Sequence, residues 1–273
     1  MPYLSVAGVR TYYEDQPAQQ AGPREPLLMI HGASADTLAW QDNIGHFART
    51  RRVIAIDLPG HGKSALVDGR PTQATEEFAQ HLSSFIEVLQ PGPVLLVGHS
   101  MGAAISITCA IEHPQSVAGV VAVCGGAAFR GAAGVGFQGD LLRNVAVNPT
   151  DWLETTFHSV LGRSTSDARR REMAFDATRA SPYVAFADLL TYTSFDFNAT
   201  MPRLTRPVHW IVGEDDWSTS PAMARDTSAR LVAMGLASSV TELAGVGHIP
   251  HWEQPAVFNH ALEIVLEKFP CRG

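Results

Sequence analysis

Residues 95–104 read LLVGHSMGAA, and this stretch decides which fold the rest of the chain can adopt. An apolar run ends at Gly98 and a run of small residues follows Ser100, which indicates a buried strand that passes into a helix. The serine stands in a G-x-S-x-G pattern, where the turn is so tight that the residues two positions to either side must be small. We therefore predict a strained turn that lifts Ser100 above the edge of a sheet, at the positive end of a helix.

Five more apolar runs share the design of the run before Ser100. They are residues 27–31, 51–57, 117–124, 207–213 and 238–244. Each is followed by a turn that contains glycine or acidic residues, and runs that are apolar on both faces are typical of buried strands in a parallel sheet. The stretch GVRTYYED, which begins at Gly8, alternates like a further strand.

Helical patterns occupy the segments between these runs. Residues 76–90 and 255–269 carry apolar side chains at steps of three and four, and residues 101–113 are small and apolar. Thr72 is the predicted N-cap of the first of these helices. Strands that alternate with helices predict an α/β fold, with a mostly parallel central sheet and helices on both faces.

Residues 127–201 interrupt this alternation, since about 75 residues are far more than an ordinary crossover needs. They contain helical stretches rich in aromatic residues, so we predict an inserted helical lid. The predicted core consists of residues 1–126 and 202–273. The Gly/Ala-rich start of the insertion, residues 127–139, is predicted to be a mobile hinge or loop.

The composition is that of a globular protein, with 273 residues of which 45% are hydrophobic and 17% charged. A net charge of −7 argues against binding to nucleic acid. The three cysteines form no C-x-x-C spacing, which favours a reducing compartment. We find neither a signal peptide nor an apolar segment of roughly 18 residues, so we expect a cytoplasmic protein without a membrane partner. A homodimer is one option that the sequence leaves open.

The strand, the G-x-S-x-G turn and the small-residue helix are similar to those of the α/β-hydrolase superfamily, and the resemblance covers nearly the whole chain outside 127–201. In that superfamily a triad follows the chain order serine, acid, histidine. The resemblance implies that Ser100 is the nucleophile and that the acid lies in WIVGEDD. The family spacing selects Asp216, three residues after Gly213, with Asp215 as the alternative.

The resemblance places the catalytic histidine in the loop after the last strand, where the chain reads GVGHIPHWEQP. His248 fits the family's G-H-x-P pattern. His251 lies three residues further along and is the competitor, which we otherwise interpret as a structural or lid-facing side chain.

The same resemblance implies an oxyanion hole made of two backbone N–H groups, those of Met101 and Ala33. Met101 follows the nucleophile, and Ala33 follows His31-Gly32 at the end of a predicted strand. The loop of residues 57–64, DLPGHGKS, also matches a recurrent family loop, and we predict a structural role for it.

Together these residues predict a serine hydrolase that cleaves a small, largely apolar carboxylic ester or lactone through an acyl-enzyme intermediate. The small molecule is the expected partner, and neither cofactor nor metal is expected, since we find no clustered zinc ligands in the sequence. Serine at position 100 argues against related dehalogenases and epoxide hydrolases, which use aspartate. Two alternatives stay open: a carbon–carbon bond hydrolase of ring-fission diketo acids, and a ligand receptor with a hydrolase fold.

Overall fold

A computed structural model describes residues 2–20, 22, 24–128 and 148–269. Eight strands of this part form one sheet in the order β1-β2-β4-β3-β5-β6-β7-β8. Their bounds are β1 Tyr3–Val6, β2 Val9–Gln16, β3 Leu27–Ile30, β4 Val53–Ile56, β5 Val94–His99, β6 Val117–Val123, β7 Val208–Gly213 and β8 Ser238–Leu243. Within the described residues β2 pairs in antiparallel fashion with both β1 and β4, and the other five strand pairs are parallel, so the predicted mostly parallel sheet is confirmed.

The helices of the described part lie between and after the strands. They are α1 Gln41–Phe47, α2 Thr75–Leu89, α3 Met101–Glu112, α4 Pro149–Val160, α5 Asp167–Ala177, α6 Pro182–Ser194, α7 Phe197–Thr200, α8 Pro221–Ala233, α9 Pro250–Glu253 and α10 Pro255–Leu266. Two short 3-10 helices, Thr37–Trp40 and Met201–Arg203, complete the set.

Helices cover both faces of the sheet, as predicted. Along β3 the side chains alternate, because successive residues of a strand point to opposite faces. Leu28 and Ile30 enter a core shared with α2, α3 and α8, whereas Leu27 and Met29 enter a core shared with α1 and α10. Because β3 to β8 run parallel, the carboxyl ends of these strands meet at one edge of the sheet, where loops can assemble a site.

One local prediction about α2 is wrong. Thr72 does not cap this helix, which begins at Thr75 after the N-cap residue Ala74. The Thr72 hydroxyl is buried and has no hydrogen-bond partner among the described residues. Glu76 and Glu77 in the first turn stabilise the helix N-terminus instead, because negative charge interacts favourably with the positive end of the helix dipole.

Helices α4 to α7 lie between β6 and β7, in the segment for which we predict a lid. Helix α6 packs against α3, the helix that follows Ser100, and α4 packs against α5 and α6. The predicted hinge at 127–139 falls, apart from its first two residues, outside the described part, and the boundaries of the insertion stay a prediction. No helix among the described residues is long and apolar enough to cross a membrane.

Candidate active site

Ser100 occupies the tight turn between β5 and α3. Its φ of 51° and ψ of −115° are strained for a residue that carries a side chain. A Cβ added to Gly98 would lie less than 3.0 Å from the backbone of Gly102, and one added to Gly102 would come equally close to the carbonyl oxygen of Ile30. Both glycines are therefore required for strand and helix to pass each other, as the sequence pattern predicts.

The structure brings Ser100, His248 and Asp216 together from three separate loops. The Nε2 atom of His248 lies 3.0 Å from the Oγ of Ser100, and its Nδ1 lies 2.9 Å from an Oδ2 oxygen of Asp216. Asp216 follows β7 and His248 follows β8, at the same edge of the sheet as the serine. This geometry lets the serine hydroxyl donate to the imidazole while the imidazole donates to the carboxylate.

The charges of this site are arranged to stabilise a protonated imidazole. Burial raises the pKa of Asp216, but the charge of His248 and several hydrogen bonds outweigh burial and lower it overall. Burial lowers the pKa of His248, but the charge of Asp216 and its hydrogen bond outweigh this and raise it. The other oxygen of Asp216 accepts from the N–H groups of Ser218 and Thr219, so the carboxylate is held in place.

Asp215, the alternative acid, faces away from His248. Its carboxylate accepts from the N–H of Arg163 and pairs with the guanidinium of the same residue, which lies in the predicted insertion. Asp216 is therefore the only one of the two carboxylates that contacts His248 within the described residues.

His251, the alternative histidine, is completely buried, and it is the ring of His248 that contacts Ser100. Its ring stacks on Trp40 with centroids 4.1 Å apart and also packs against Phe258. Burial, followed by repulsion from neighbouring histidines, holds its pKa well below the ordinary value. The structural interpretation therefore stands, and the lid-facing one is wrong, because the ring belongs to the core around α1 and α10.

The predicted oxyanion loop is fixed by His31. Its Nδ1 donates to the carbonyl oxygen of Gly32 at 2.8 Å, while its Nε2 accepts from the N–H of Leu58 at 3.0 Å. The carbonyl of Gly32 and the N–H of Ala33 share one trans peptide unit and therefore point in opposite directions. The N–H of Ala33 is thus directed away from His31.

Two backbone donors next to Ser100 are left without an acceptor in the described part of the chain, namely the N–H groups of Ala33 and Met101. Met101 is the first residue of α3, where helix N–H groups have no intrahelical acceptor. A Cβ added to Gly32 would lie 3.2 Å from the Cβ of Ser100, so the loop is in direct contact with the serine. This arrangement is compatible with the predicted oxyanion hole.

Glu253, which sequence reasoning missed, holds the loop that carries His248. The side chain is only 4% exposed. Its carboxylate accepts four hydrogen bonds, from the N–H groups of Gly162, Gly247 and Ile249 and from the hydroxyl of Thr165. Two of these donors flank His248, and the other two lie in the predicted insertion. The sequence does contain a glutamate five residues after His248, but nothing in the sequence distinguishes it from a solvent-exposed acidic residue.

His99 supports His248 from the opposite side. Its Nε2 donates to the carbonyl oxygen of His248 at 2.8 Å. Burial and the neighbouring His248 lower the pKa of His99 to about 3, so this ring is neutral and carries its proton on Nε2. The residue between Gly98 and Ser100 in the G-x-S-x-G pattern therefore orients the backbone of the histidine loop.

The structure corrects the expectation that no metal ligands cluster. Within the described residues, ligand atoms of Cys124, Asp216 and His248 all lie within 4.8 Å of one another. Burial and the charge of Asp216 raise the pKa of the Cys124 thiol well above its ordinary value, which disfavours the thiolate that a metal would need. Asp216 and His248 already form a hydrogen bond with each other, so the cluster fits a carboxylate–histidine pair beside a neutral thiol better than a cation site.

The loop of residues 57–64 has the structural character that we predicted. Asp57 accepts from the N–H groups of Thr37 and Lys63, each at 2.8 Å, and Ser64 donates its hydroxyl to the carbonyl oxygen of Asp57 at 2.7 Å. These bonds close the loop on itself and tie it to the segment after β3.

A family model described as the alpha/beta hydrolase family matches residues 27–261. Alignments with the first curated relatives span only 25% to 44% of the length of those proteins. One of them, a 2-hydroxymuconate semialdehyde hydrolase from a Pseudomonas species, is 34% identical over 49% of this chain and 44% of its own length.

Two further similarities extend over nearly the whole chain. A pimeloyl-[acyl-carrier protein] methyl ester esterase of Vibrio vulnificus is 25% identical over 89% of this chain and 95% of its own. The solved structure of Est816, described as an N-acyl homoserine lactone degrading enzyme, superposes with a TM-score of 0.77. It is 22% identical and covers 96% of this chain and 99% of its own, which shows a shared fold.

Proposed function

The chain belongs to the alpha/beta hydrolase family, and on that premise we propose that it is a serine hydrolase of small, largely apolar carboxylic esters or lactones. The observation that carries this proposal is the continuous contact from the Oγ of Ser100 to Nε2 of His248, at 3.0 Å, and from Nδ1 to Asp216, at 2.9 Å. A serine, a histidine and a carboxylate in this order are the parts that nucleophilic acyl transfer requires.

In the proposed first step His248 takes the proton of the Ser100 hydroxyl while the oxygen attacks the substrate carbonyl. Negative charge then develops on the carbonyl oxygen, where the N–H groups of Ala33 and Met101 stabilise it. Asp216 stabilises the imidazolium that forms, in agreement with the raised pKa of His248. When the tetrahedral intermediate collapses, the imidazolium gives its proton to the leaving alcohol.

In the proposed second step water attacks the acyl-enzyme. His248 accepts a proton from the water as its oxygen bonds to the acyl carbon, and the same two N–H groups hold the oxyanion. The bond to the Ser100 oxygen then breaks and the serine recovers its proton from the imidazolium, which releases a carboxylic acid. An intramolecular ester, a lactone, would yield one hydroxy acid by the same steps.

The ester class is supported by the Vibrio vulnificus relative, whose printed activity is that of a methyl ester esterase and whose alignment covers 89% of this chain. The net charge of −7 favours neutral substrates over acidic ones. We propose in addition that residues 127–201 form a lid over the site. This is supported by the contact of α6 with α3 and by the bonds from Gly162 and Thr165 to Glu253, beside the histidine loop.

A second candidate is hydrolysis of a carbon–carbon bond. It is favoured by the relative from Pseudomonas, a 2-hydroxymuconate semialdehyde hydrolase that is more similar per aligned residue than the esterase but is matched over only 44% of its length. Both candidates use the same serine, so the choice between them depends on the substrate rather than on the triad.

The test is a panel of p-nitrophenyl esters, homoserine and aryl lactones and dienoic diketo acids, assayed with wild-type protein and Ser100→Ala. We expect turnover of an ester or lactone that Ser100→Ala lowers by several orders of magnitude, since only the hole and substrate binding remain. Ser84→Ala on α2 is the matched control. A fluorophosphonate should label Ser100 alone, as read by mass spectrometry.

Two results would contradict the proposal. Cleavage of diketo acids only, with Ser100 required, would establish the carbon–carbon reaction instead. Ligand binding that Ser100→Ala leaves intact, without turnover by the wild-type protein, would establish a receptor.

A further inference from the structure

A charged pair lies completely buried between the insertion and the core. His61, in the loop after β4, contacts Asp188 on α6 with 2.9 Å between Nε2 and Oδ2, and the two side chains are 2% and 1% exposed. The Nδ1 of His61 lies 3.1 Å from the carbonyl oxygen of Pro59. Both ring nitrogens thus face oxygen atoms that can accept, and a ring with a proton on each nitrogen satisfies both.

The surroundings of His61 favour its charged form. Burial lowers its pKa, but the charge of Asp188, followed by the hydrogen bonds to Asp188 and to the carbonyl of Pro59, outweighs burial and raises it. His61 and Asp188 therefore form a buried, hydrogen-bonded pair in which the carboxylate favours a protonated imidazole. Burying two charges is costly, and an apolar pair of similar size is often at least as stable. Stability alone is thus a weak reason for this arrangement.

Asp188 has a second contact, with the predicted oxyanion loop. Its Oδ2 accepts from the backbone N–H of Ser34 at 2.7 Å. Ser34 has a φ of 58°, a left-handed conformation that is unfavourable for a residue with a side chain and that persists only when its surroundings hold it. This N–H belongs to the peptide unit that directly follows Ala33.

Ala33 is consequently held on both sides. The peptide unit before it is fixed through the carbonyl of Gly32 by His31, at 2.8 Å, and the unit after it through the N–H of Ser34 by Asp188. Peptide units are planar, so fixing one atom of each unit leaves Ala33 little freedom to rotate. The direction of its N–H group therefore depends on a carboxylate that α6 supplies.

We propose that Asp188, held by His61, is a positioning residue that aims the N–H of Ala33 at the substrate carbonyl oxygen. This inference rests on the proposed function, because it concerns the oxyanion hole of that reaction. It makes the insertion part of the catalytic apparatus, in addition to any role in covering the site. Among the described residues the side chain of Asp188 is hydrogen-bonded to Ser34 and His61, and it acts through the Ser34 peptide.

The test compares Asp188→Ala with Asp188→Asn on an ester that the wild-type protein hydrolyses. An asparagine can accept from the N–H of Ser34 and donate to Nε2 of a neutral His61, so we expect kcat close to that of the wild type. Alanine can do neither, and we expect kcat to fall about 10- to 100-fold with KM nearly unchanged. Asp196→Ala, which removes the N-cap of α7 in the same insertion, is the matched control and should leave kcat unchanged.

Three readouts separate positioning from mere destabilisation. Titration with a fluorophosphonate counts competent sites, so kcat is given per active site. The inhibition constant of a boronic acid, whose adduct with Ser100 places an oxygen in the hole, should rise by the same factor as kcat falls. Amide hydrogen exchange of residues 31–35 should accelerate in Asp188→Ala but not in Asp188→Asn.

Each remaining outcome overturns the inference. If kcat per active site and the boronic acid constant of Asp188→Ala match the wild type, the pair is only structural, and the proposed function is unaffected. The same holds if KM rises while kcat stays constant. If the wild-type protein shows no turnover that depends on Ser100, the proposed function fails and the inference fails with it.

Discussion

The loop that carries His248 and the loop that carries Ala33 are both held by a buried carboxylate, but in different ways. Glu253 comes from the core, and all four of its described partners are neutral donors. Asp188 comes from α6, in the predicted insertion, and one of its partners is a histidine that can gain or lose a proton. The histidine loop is thus held by a carboxylate whose described partners are all neutral donors, whereas the oxyanion loop is held by a carboxylate that is paired with a histidine.

The two carboxylates should therefore respond differently to the same chemical change. Replacing a carboxylate by an amide keeps its shape but turns one acceptor into a donor. At Asp188 the histidine can accept that donor, so the amide fits. At Glu253 every described partner donates, so the amide does not fit.

The largest expected effect concerns Asp216, the proposed catalytic acid. Its loss of kcat is the reference with which the losses at Glu253 and Asp188 are compared. Asp216→Asn should lower kcat by about 10,000-fold, because the imidazole loses the charge that stabilises its protonated form and takes the wrong tautomer. The measurement is kcat per titrated site on the best ester of the panel. Asp215→Asn is the control, and it should change kcat little, since Asp215 pairs with Arg163 at the surface. Equal losses in the two variants would contradict the assignment of Asp216.

The next effect distinguishes Glu253 from Asp188. Glu253→Gln should lower the free energy of unfolding by about 2–3 kcal/mol, because at least one buried N–H loses its acceptor. It should also lower kcat by about 10-fold, since the loop no longer holds the imidazole in place. Urea unfolding and kcat per titrated site measure the two quantities.

Glu263→Gln, which removes a half-exposed partner of His46, is the control for Glu253→Gln and should change stability by less than about 1 kcal/mol. If Glu253→Gln proves as harmless as we expect Asp188→Asn to be, the proposed contrast between the two loops is wrong.

The smallest effect concerns the pH dependence of the His61–Asp188 pair. His61 has a folded-state pKa above the ordinary 6.5, so its contribution to stability is fully present below about pH 6.5 and is lost as pH rises through the folded pKa. The difference in unfolding free energy between wild type and His61→Gln should therefore shrink as pH rises from 6 towards 9, as measured by urea unfolding. A difference that stays constant over this range would show that the pair carries no titrating charge.

Local patterns in the sequence predicted much of the fold and the candidate triad. Apolar runs that end at glycines predict buried strands, because such residues fit only where both faces of a sheet are covered. The start of α2 could not be located in this way, and the predicted cap at Thr72 is wrong. Polar residues precede α2 in the sequence, and only the path of the chain decides whether one of them reaches the helix. The cluster around Cys124 was missed for a related reason, as its members are far apart in the chain.

Several supporting residues lay beyond sequence reasoning. The hydroxyl of Ser218 donates to Asp216 at 3.0 Å and His99 donates to the carbonyl of His248, yet from the sequence both side chains could equally have faced solvent. Asp188 is one of several acidic residues in the insertion, and it is distinguished only by what α6 places next to it.

The sequence by itself determined the parallel sheet, the tight turn at Ser100 and the candidate acid and base, because each depends on residue size, polarity and spacing within a short segment. Only the tertiary structure decided that Glu253 holds the histidine loop and that Asp188 and His61 hold the oxyanion loop. A carboxylate accepts hydrogen bonds from whichever donors surround it, and here the carboxylate of Asp188 accepts from the N–H of Ser34, which is distant in the chain. Which donors meet it is set by the packing of the whole chain.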